Sequence, residues 1–164
     1  MDQQARYAEV EAEFGAALSR LARAYEADSD KRRDLLQEIH LQVWRSLARF
    51  EGQCSLRTWV YRVAHNVGAS HVIRERRTYG ALVTLDELEG VASPPIADRA
   101  AALARLDVLI RQLKPLDRQV IVMYLEDFDA KAIADVVGLS PANVAMKIHR
   151  IKNLLTERYW NNGK

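Results

Sequence analysis

The chain has 164 residues, of which 49% are hydrophobic, and its formal net charge is +2, so it can form one domain or two small helical ones. Seven glycines and four prolines favour helices over a turn-rich β fold, and the single cysteine, Cys54, excludes an intrachain disulfide framework and argues against a cysteine-based zinc site. The first residues lack the apolar stretch of a signal peptide and no apolar run could span a bilayer, so we expect a cytoplasmic protein without membrane insertion.

Residues 1–77 are predicted to form three helices. Apolar residues recur at helical spacing over about residues 4–26, and a second apolar stripe runs over about residues 31–50. Residues 28–30 offer an N-cap for the second helix, and Ser55 is a plausible N-cap for a third helix that ends near Arg77. The predicted core positions are Val10, Phe14, Leu18, Leu21, Leu35, Ile39, Val43, Leu47, Leu56, Val60, Val63 and Val67.

Residues 78–98 are predicted to form an acidic, flexible linker with a short helical turn near residues 85–88. Helices resume over about residues 99–114, and Pro115 ends that helix and opens the next. Asp127 or Asp129 can cap the helix after that. Because no alternating run rich in Val, Ile and Thr indicates a strand, the sequence predicts an all-α fold with two small helical domains, residues 1–77 and 99–164.

The last part of the chain carries the pattern of a helix-turn-helix. Gly138 stands where the turn requires a positive φ, Ser140 can cap the second helix, and Pro141 occupies its first position. That helix fits the width of the DNA major groove, where Lys and Arg of its opposite, polar face can read guanine and Asn can read adenine. An ordinary helical hairpin is the alternative. The predicted core positions are Ile133, Ala134, Val137, Leu139, Val144, Ile148 and Ile151, and the predicted DNA-facing residues are Ser140, Asn143, Met146, Lys147 and Arg150.

Charge is arranged in blocks along the chain. Five arginines and one glutamate lie between Arg57 and Arg77, five acids and two arginines lie within residues 81–107, and four bases and one acid lie within residues 140–158. Two basic blocks that flank an acidic one favour local contacts with a polyanion, although solvated helix faces are the alternative.

The first basic block belongs to the third predicted helix and is interleaved with aromatic residues. Arg62, Asn66 and Ile73 share a face with the arginines at 76 and 77, and Trp59 and Tyr61 lie beside it. Arginines can neutralise phosphates, and flat rings can stack on unpaired bases for about 1–3 kcal/mol per base. The loop at residues 51–55 could form a pocket for such a base. The alternative is that Trp59 is a core residue and the arginines are solvated.

The second predicted helix has a polar, partly acidic face outside its apolar stripe. Asp34, Gln37, Glu38 and His40 lie on it. Such a face can bind a basic helix of another protein, and an ordinary solvated face is the alternative.

Together these segments resemble the extracytoplasmic-function sigma factors, a compact branch of the bacterial sigma-70 family. The resemblance covers about residues 5–77 and 99–158. It rests on Asp34-Leu-Leu-Gln-Glu38, Trp44, Arg49-Phe50, Ser55-Leu-Arg-Thr-Trp59, Tyr61-Arg62, Ala64 and Asn66, and on Leu113, Leu116, Arg118-Gln119, Ile133-Ala134, Gly138-Leu-Ser140, Val144 and His149-Arg150.

The resemblance implies a role for each surface. The second helix would bind the coiled coil of the polymerase β′ subunit, the third helix and its preceding loop would melt and read the −10 element, and the helix-turn-helix would read the −35 element and approach the β flap. An anti-sigma factor is an expected partner. The core-binding residues would be Asp34, Gln37, Glu38 and Gln42, and the −10 residues Gln53, Arg57, Trp59, Tyr61, Arg62, Asn66, Arg74, Arg76 and Arg77.

No catalytic residue and no cofactor are expected, because the family leaves bond formation to the polymerase. The four histidines are scattered without metal-ligand spacing, and Cys54 has no activating partner near it in sequence. The alternative function is a helix-turn-helix repressor or activator that binds duplex DNA without joining the polymerase. Such a regulator would need a dimer surface or a ligand pocket, whereas the first half of this chain carries a basic-aromatic helix.

Overall fold

A computed structural model describes the backbone of residues 2–79 and 99–159 and the side chains of residues 2–76 and 99–157. Most of the predicted linker, with its helical turn, lies outside the described residues. The described ranges contain seven α-helices and no strand. These are α1 (Gln3–Tyr25), α2 (Ser29–Leu47), α3 (Leu56–Tyr79), α4 (Arg99–Gln112), α5 (Pro115–Leu125), α6 (Ala130–Val137) and α7 (Pro141–Tyr159).

Short polar side chains fix where four of the helices begin. Asp28, Ser55, Asp129 and Ser140 each accept a hydrogen bond from a backbone N–H in the first turn of α2, α3, α6 and α7, at distances of 2.8–3.2 Å. The predicted caps are therefore confirmed, and Asp129 rather than Asp127 caps α6. The turn before α7 has Gly138 at a φ of 78°, as the helix-turn-helix pattern predicts.

Helices α1, α2 and α3 form one bundle, and α5, α6 and α7 form a second in which α6 and α7 are the helix-turn-helix. The predicted apolar stripes of α1 and α2 are buried in the first bundle. In the helix-turn-helix, Ile133, Ala134, Val144, Ile148 and Ile151 are buried, and the other two predicted positions are half-buried.

The predicted stripe of α3 is only partly right. Val60 is fully buried, but the other three predicted positions are half-buried. The deeply buried ridge includes Tyr61, Ala64, His65 and Val72. The ridge differs from the prediction because α3 packs against α1 and α2 on one side and against α5 and α6 on the other. The two halves of the chain are therefore in contact.

A buried polar cluster joins the two halves. Tyr25 at the end of α1 shares a hydrogen bond of 2.8 Å with Nδ1 of His65 on α3, and the guanidinium of Arg118 on α5 lies 5.3 Å from the Tyr25 ring. Burial lowers the pKa of His65 to about 3, because the charged imidazole would lose its hydration. Arg118 is held by backbone carbonyls: it donates to Leu113 at 2.8 Å and also to Arg111.

None of the described helices combines the length and the apolar character that crossing a bilayer requires.

Candidate functional site

The outer face of α2 combines acidic, polar and apolar side chains. Asp34, Gln37, Glu38 and Leu41 follow the i, i+3, i+4, i+7 spacing of one helix face, and Asp34 and Gln37 are exposed. Leu41 is 40% exposed and Trp44, one turn further on, is 38% exposed. Two large apolar groups beside two carboxylates are typical of a protein-binding surface rather than of a purely solvated face.

Leu41 was not predicted to belong to this face. The signal that could have found it is its position outside the stripe of Leu35, Ile39 and Val43. His40, which was also predicted to lie on this face, is half-buried. Its Nδ1 shares a hydrogen bond of 2.9 Å with the hydroxyl of Tyr7 on α1, and partial burial lowers the pKa of His40.

An open pocket of about 320 Å³ lies between α2 and α3. Asn66 and Arg74 of the predicted −10 surface line it on α3, and Glu38 and Gln42 of the predicted core-binding face line it on α2, where the Gln42 amide donates to Glu38 at 2.7 Å. This pocket is separate from the loop at residues 51–55, which the sequence suggested as a pocket for a base. There the amide of Gln53 bonds to the backbone of its own loop.

Trp59 packs into the bundle and has an engaged polar group. Its indole N–H donates to Oγ of the buried Ser46 at 3.0 Å, and its ring centroid lies 5.4 Å from that of Phe50. The side chain is half-buried. Of the two interpretations of Trp59, the structure favours a contribution to the core.

The exposed side of α7 carries the predicted −35 residues. Asn143, Met146, Lys147 and Arg150 line a shallow concavity of about 240 Å³ together with Leu139 from the turn. Met146 is 70% exposed, so an apolar group stands among polar ones at the outer surface of the helix. This mixture can meet both a thymine methyl group and polar base edges.

Lys147 is not a free cation in this structure. Its ammonium Nζ donates to Oδ1 of Asp117 at 2.6 Å, and Asp117 is a buried residue in the first turn of α5. Sequence reasoning missed Asp117 because the two residues belong to helices that are separated along the chain by α6.

Comparisons with known proteins agree with this geometry. The family model described as Sigma-70 region 2 matches residues 12–78, and the model described as Sigma-70, region 4 matches residues 103–155. The sigma factor CarQ of Myxococcus xanthus is 31% identical over 120 residues, which cover 71% of this chain and 68% of CarQ. The chain belongs to the sigma-70 family, in its extracytoplasmic-function branch. We therefore call α1–α3 region 2 and α4–α7 region 4.

Two further comparisons extend this result. The sigma-H factor of Pseudomonas aeruginosa is 33% identical over 63 residues, which cover 38% of this chain and only 33% of that factor. A co-crystal structure of the sigma factor RpoE with the anti-sigma factor NepR from Bartonella quintana has a TM-score of 0.66 at 20% identity and covers 91% of this chain and 95% of that chain. The structural likeness confirms the all-α sigma fold.

Region 4 covers part of the predicted −10 surface of region 2. The placement of Tyr61 on that surface is wrong for this conformation, because Tyr61 is only 2% exposed and packs against Phe14 and Phe128. Arg57 and Arg62 donate to backbone carbonyls of region 4.

Three other residues of the predicted −10 surface remain accessible. Asn66, Arg74 and Arg76 are exposed, and the side chain of Arg77 lies outside the described residues. Part of the predicted −10 set therefore lies on an open face around Asn66 and Arg74, and part lies on a face that region 4 occupies.

Proposed function

We propose that the chain recruits bacterial RNA polymerase core to promoters, with residues 1–77 acting at the −10 element and residues 99–164 at the −35 element. The observation that carries this proposal is the pairing of a helix-turn-helix with an exposed α2 face on which Asp34, Glu38, Leu41 and Trp44 lie together. A repressor needs the helix-turn-helix but does not need this face of α2. Bond formation is left to the polymerase.

At the −10 element, the pocket between α2 and α3 is the proposed base-binding site. The amide of Asn66 can donate to and accept from a base edge, while Arg74 can neutralise an adjacent phosphate. Extruding a base from a duplex costs a few kcal/mol, which polar contacts in a concave site together with core polymerase can offset.

At the −35 element, α7 is the proposed recognition helix. Lys147 lies nearer the N-terminal end that usually enters the major groove, so we assign base reading to it and phosphate contact to Arg150. Region 4 would also approach the β flap. The likeness to RpoE, whose structure was solved with an anti-sigma factor, supports a further proposal that an anti-sigma factor controls this chain.

A run-off transcription assay with core polymerase and a genomic promoter library tests the proposed function. We expect transcripts that depend on the added chain and start at a common motif. Tight duplex binding by the chain alone, with no chain-dependent transcript, would instead identify a repressor or activator.

Reversing the charges of Asp34 and Glu38 should weaken the binding of core polymerase. We expect an affinity loss of about tenfold or more for D34R/E38R, since opposite charges across an interface would become like charges. Helicity should be unchanged, because Asp34 is exposed, Glu38 is half-buried and both lie off the apolar stripe of α2. Titration of labelled core measures the affinity, and E13R on the exposed surface of α1 is the matched control. Unchanged affinity in D34R/E38R would remove this face from the interface.

A further inference from the structure

The turn between α5 and α6, residues 126–128, inserts an aromatic ring into region 2. Phe128 is 5% exposed, and its ring centroid lies 4.7 Å from that of Tyr61 on α3. The guanidinium carbon of Arg57 stands 3.6 Å above the Phe128 ring, within the range of a cation–π contact. The ring is therefore held between an aromatic and a cationic side chain of the same region-2 helix.

The turn also presents acidic and carbonyl oxygens to region 2. The carboxylate of Glu126 receives two hydrogen bonds from Arg20 on α1, at 2.5 and 2.8 Å. The backbone carbonyl of Glu126 accepts from Arg57 at 2.5 Å. A bidentate contact between Arg and a carboxylate fixes orientation as well as position.

A third arginine of region 2, Arg62, contacts α6, the helix that follows this turn. Arg62 donates to the backbone carbonyl of Asp135 on α6 at 2.6 Å. Arg20, Arg57 and Arg62 thus direct their donors to oxygens of region 4. Guanidinium N–H groups are also common donors to DNA phosphates.

We infer that residues 126–128 form an intramolecular latch, in which Glu126 and Phe128 occupy the Arg20–Arg57–Tyr61 surface of region 2 and withhold its cations from promoter DNA. The inference rests on the proposed function, since it assumes that this side of α3 meets DNA. The surface accepts an acidic residue followed two positions later by an aromatic one, and region 4 supplies that segment. Binding of core and promoter must then open the latch, so the apparent affinity is the affinity of the open form multiplied by the fraction of molecules that is open.

Distance measurement tests the latch without any DNA. The chain has a single cysteine, Cys54, so N153C adds a second label site on the exposed surface of α7 for energy-transfer measurements in the full-length protein. We expect F128A and R20E each to raise the ratio of open to closed molecules by about tenfold. The double variant R20E/E126R should return that ratio towards the wild-type value, because the ion pair is restored in reverse. E157R changes the charge of an exposed residue on α7 and is the matched control.

Binding of a single-stranded −10 oligonucleotide tests the consequence. Unlabelled F128A should bind it about tenfold more tightly than the wild type, with Arg57 and Arg62 released. A wild-type distance distribution in both F128A and R20E would overturn the latch, as would a failure of R20E/E126R to close again. Opening without any gain in oligonucleotide binding would overturn its role in withholding DNA contacts. Failure of the proposed function has a separate signature: no chain-dependent transcription with core, whatever the distances.

An independent observation concerns the pair formed by Lys147 and Asp117. The acceptor is buried, the two charges are 2.6 Å apart, and Lys147 lines the concavity of α7. An unpaired lysine is a mobile point charge that binds phosphates readily, whereas an ammonium fixed by one hydrogen bond keeps two donors in a defined place. We propose that Asp117 is a positioning residue that makes Lys147 specific for a base edge. This proposal also rests on the assignment of α7 to the −35 element.

Selection over randomised −35 sequences at two salt concentrations tests this role. D117N should relax the preference at the same base pair as K147A, by about tenfold, and should steepen the salt dependence by about one unit because the released lysine finds a phosphate. D117E should recover most of the preference, and D117N/K147A should match K147A. Thermal melting of each variant accompanies the selection.

Three results would overturn the positioning role. They are an intact preference in D117N, a relaxed preference at a different base pair, and the absence of any K147A effect on base choice. If wild-type holoenzyme still requires a −35 sequence, the proposed function holds, and each of these results then counts against the positioning role alone.

Discussion

Arg118→Ala is expected to lower the free energy of unfolding by about 2–4 kcal/mol. The guanidinium lies between the two halves of the chain and donates to the carbonyls of Leu113 and Arg111 at the end of α4, and more weakly, at 3.4 Å, to that of Ala24 at the end of α1. Its removal takes a donor away from each of these buried or part-buried acceptors. Burial lowers the pKa of Arg118 to about 10, because the charged guanidinium loses hydration there.

Urea unfolding followed by circular dichroism measures this effect, with a lower midpoint at an unchanged slope as the expected result. R118K is the informative companion, because an ammonium cannot reproduce the planar fork of donors and should restore less than half of the loss. R118M keeps the length without the donors. A midpoint for R118M equal to that of the wild type would show that the carbonyl contacts contribute nothing.

Gly68→Ala should be destabilising by about 1–3 kcal/mol, although alanine has the higher helix propensity by about 1 kcal/mol. A Cβ at this position of α3 would lie 2.8–2.9 Å from three ring atoms of Tyr25. The ring cannot retreat without loss of its hydrogen bond to His65. The clash therefore outweighs the propensity.

Gly15→Ala is the matched control for this substitution. Gly15 also lies within a helix, α1, but a Cβ there would meet nothing within 4 Å, so alanine should stabilise the protein by up to about 1 kcal/mol. If packing decides the outcome, thermal unfolding in one buffer should show a lower Tm for G68A and a higher Tm for G15A than for the wild type. A stabilised G68A would mean that the Tyr25 ring moves freely.

Local sequence was enough to predict the helices and their starts. The stripes of α1 and α2 were readable because each lies on a single face, and the caps at Asp28, Ser55 and Ser140 act within one turn of themselves. The helix-turn-helix was equally readable, since the turn at Gly138 has a strict conformational requirement.

Distant packing decided what the sequence could not show. Tyr61 was predicted to be a stacking residue, and it is buried partly by Phe128 from the other half of the chain. The same holds for Gly68, whose apparent cost to the helix is explained by the Tyr25 ring. Helical periodicity describes one face at a time and carries no information about a second partner on the opposite side.

Among the arginines that cross the boundary between regions 2 and 4, four donate to backbone carbonyls. Arg57 and Arg62 reach into region 4, and Arg111 and Arg118 reach into region 2. A substitution at the accepting position leaves the acceptor in place, so each of these contacts is encoded by one partner only. Homologous chains could therefore drift at the accepting positions without compensating changes, and pairwise covariation would overlook these contacts even where the closed arrangement is retained.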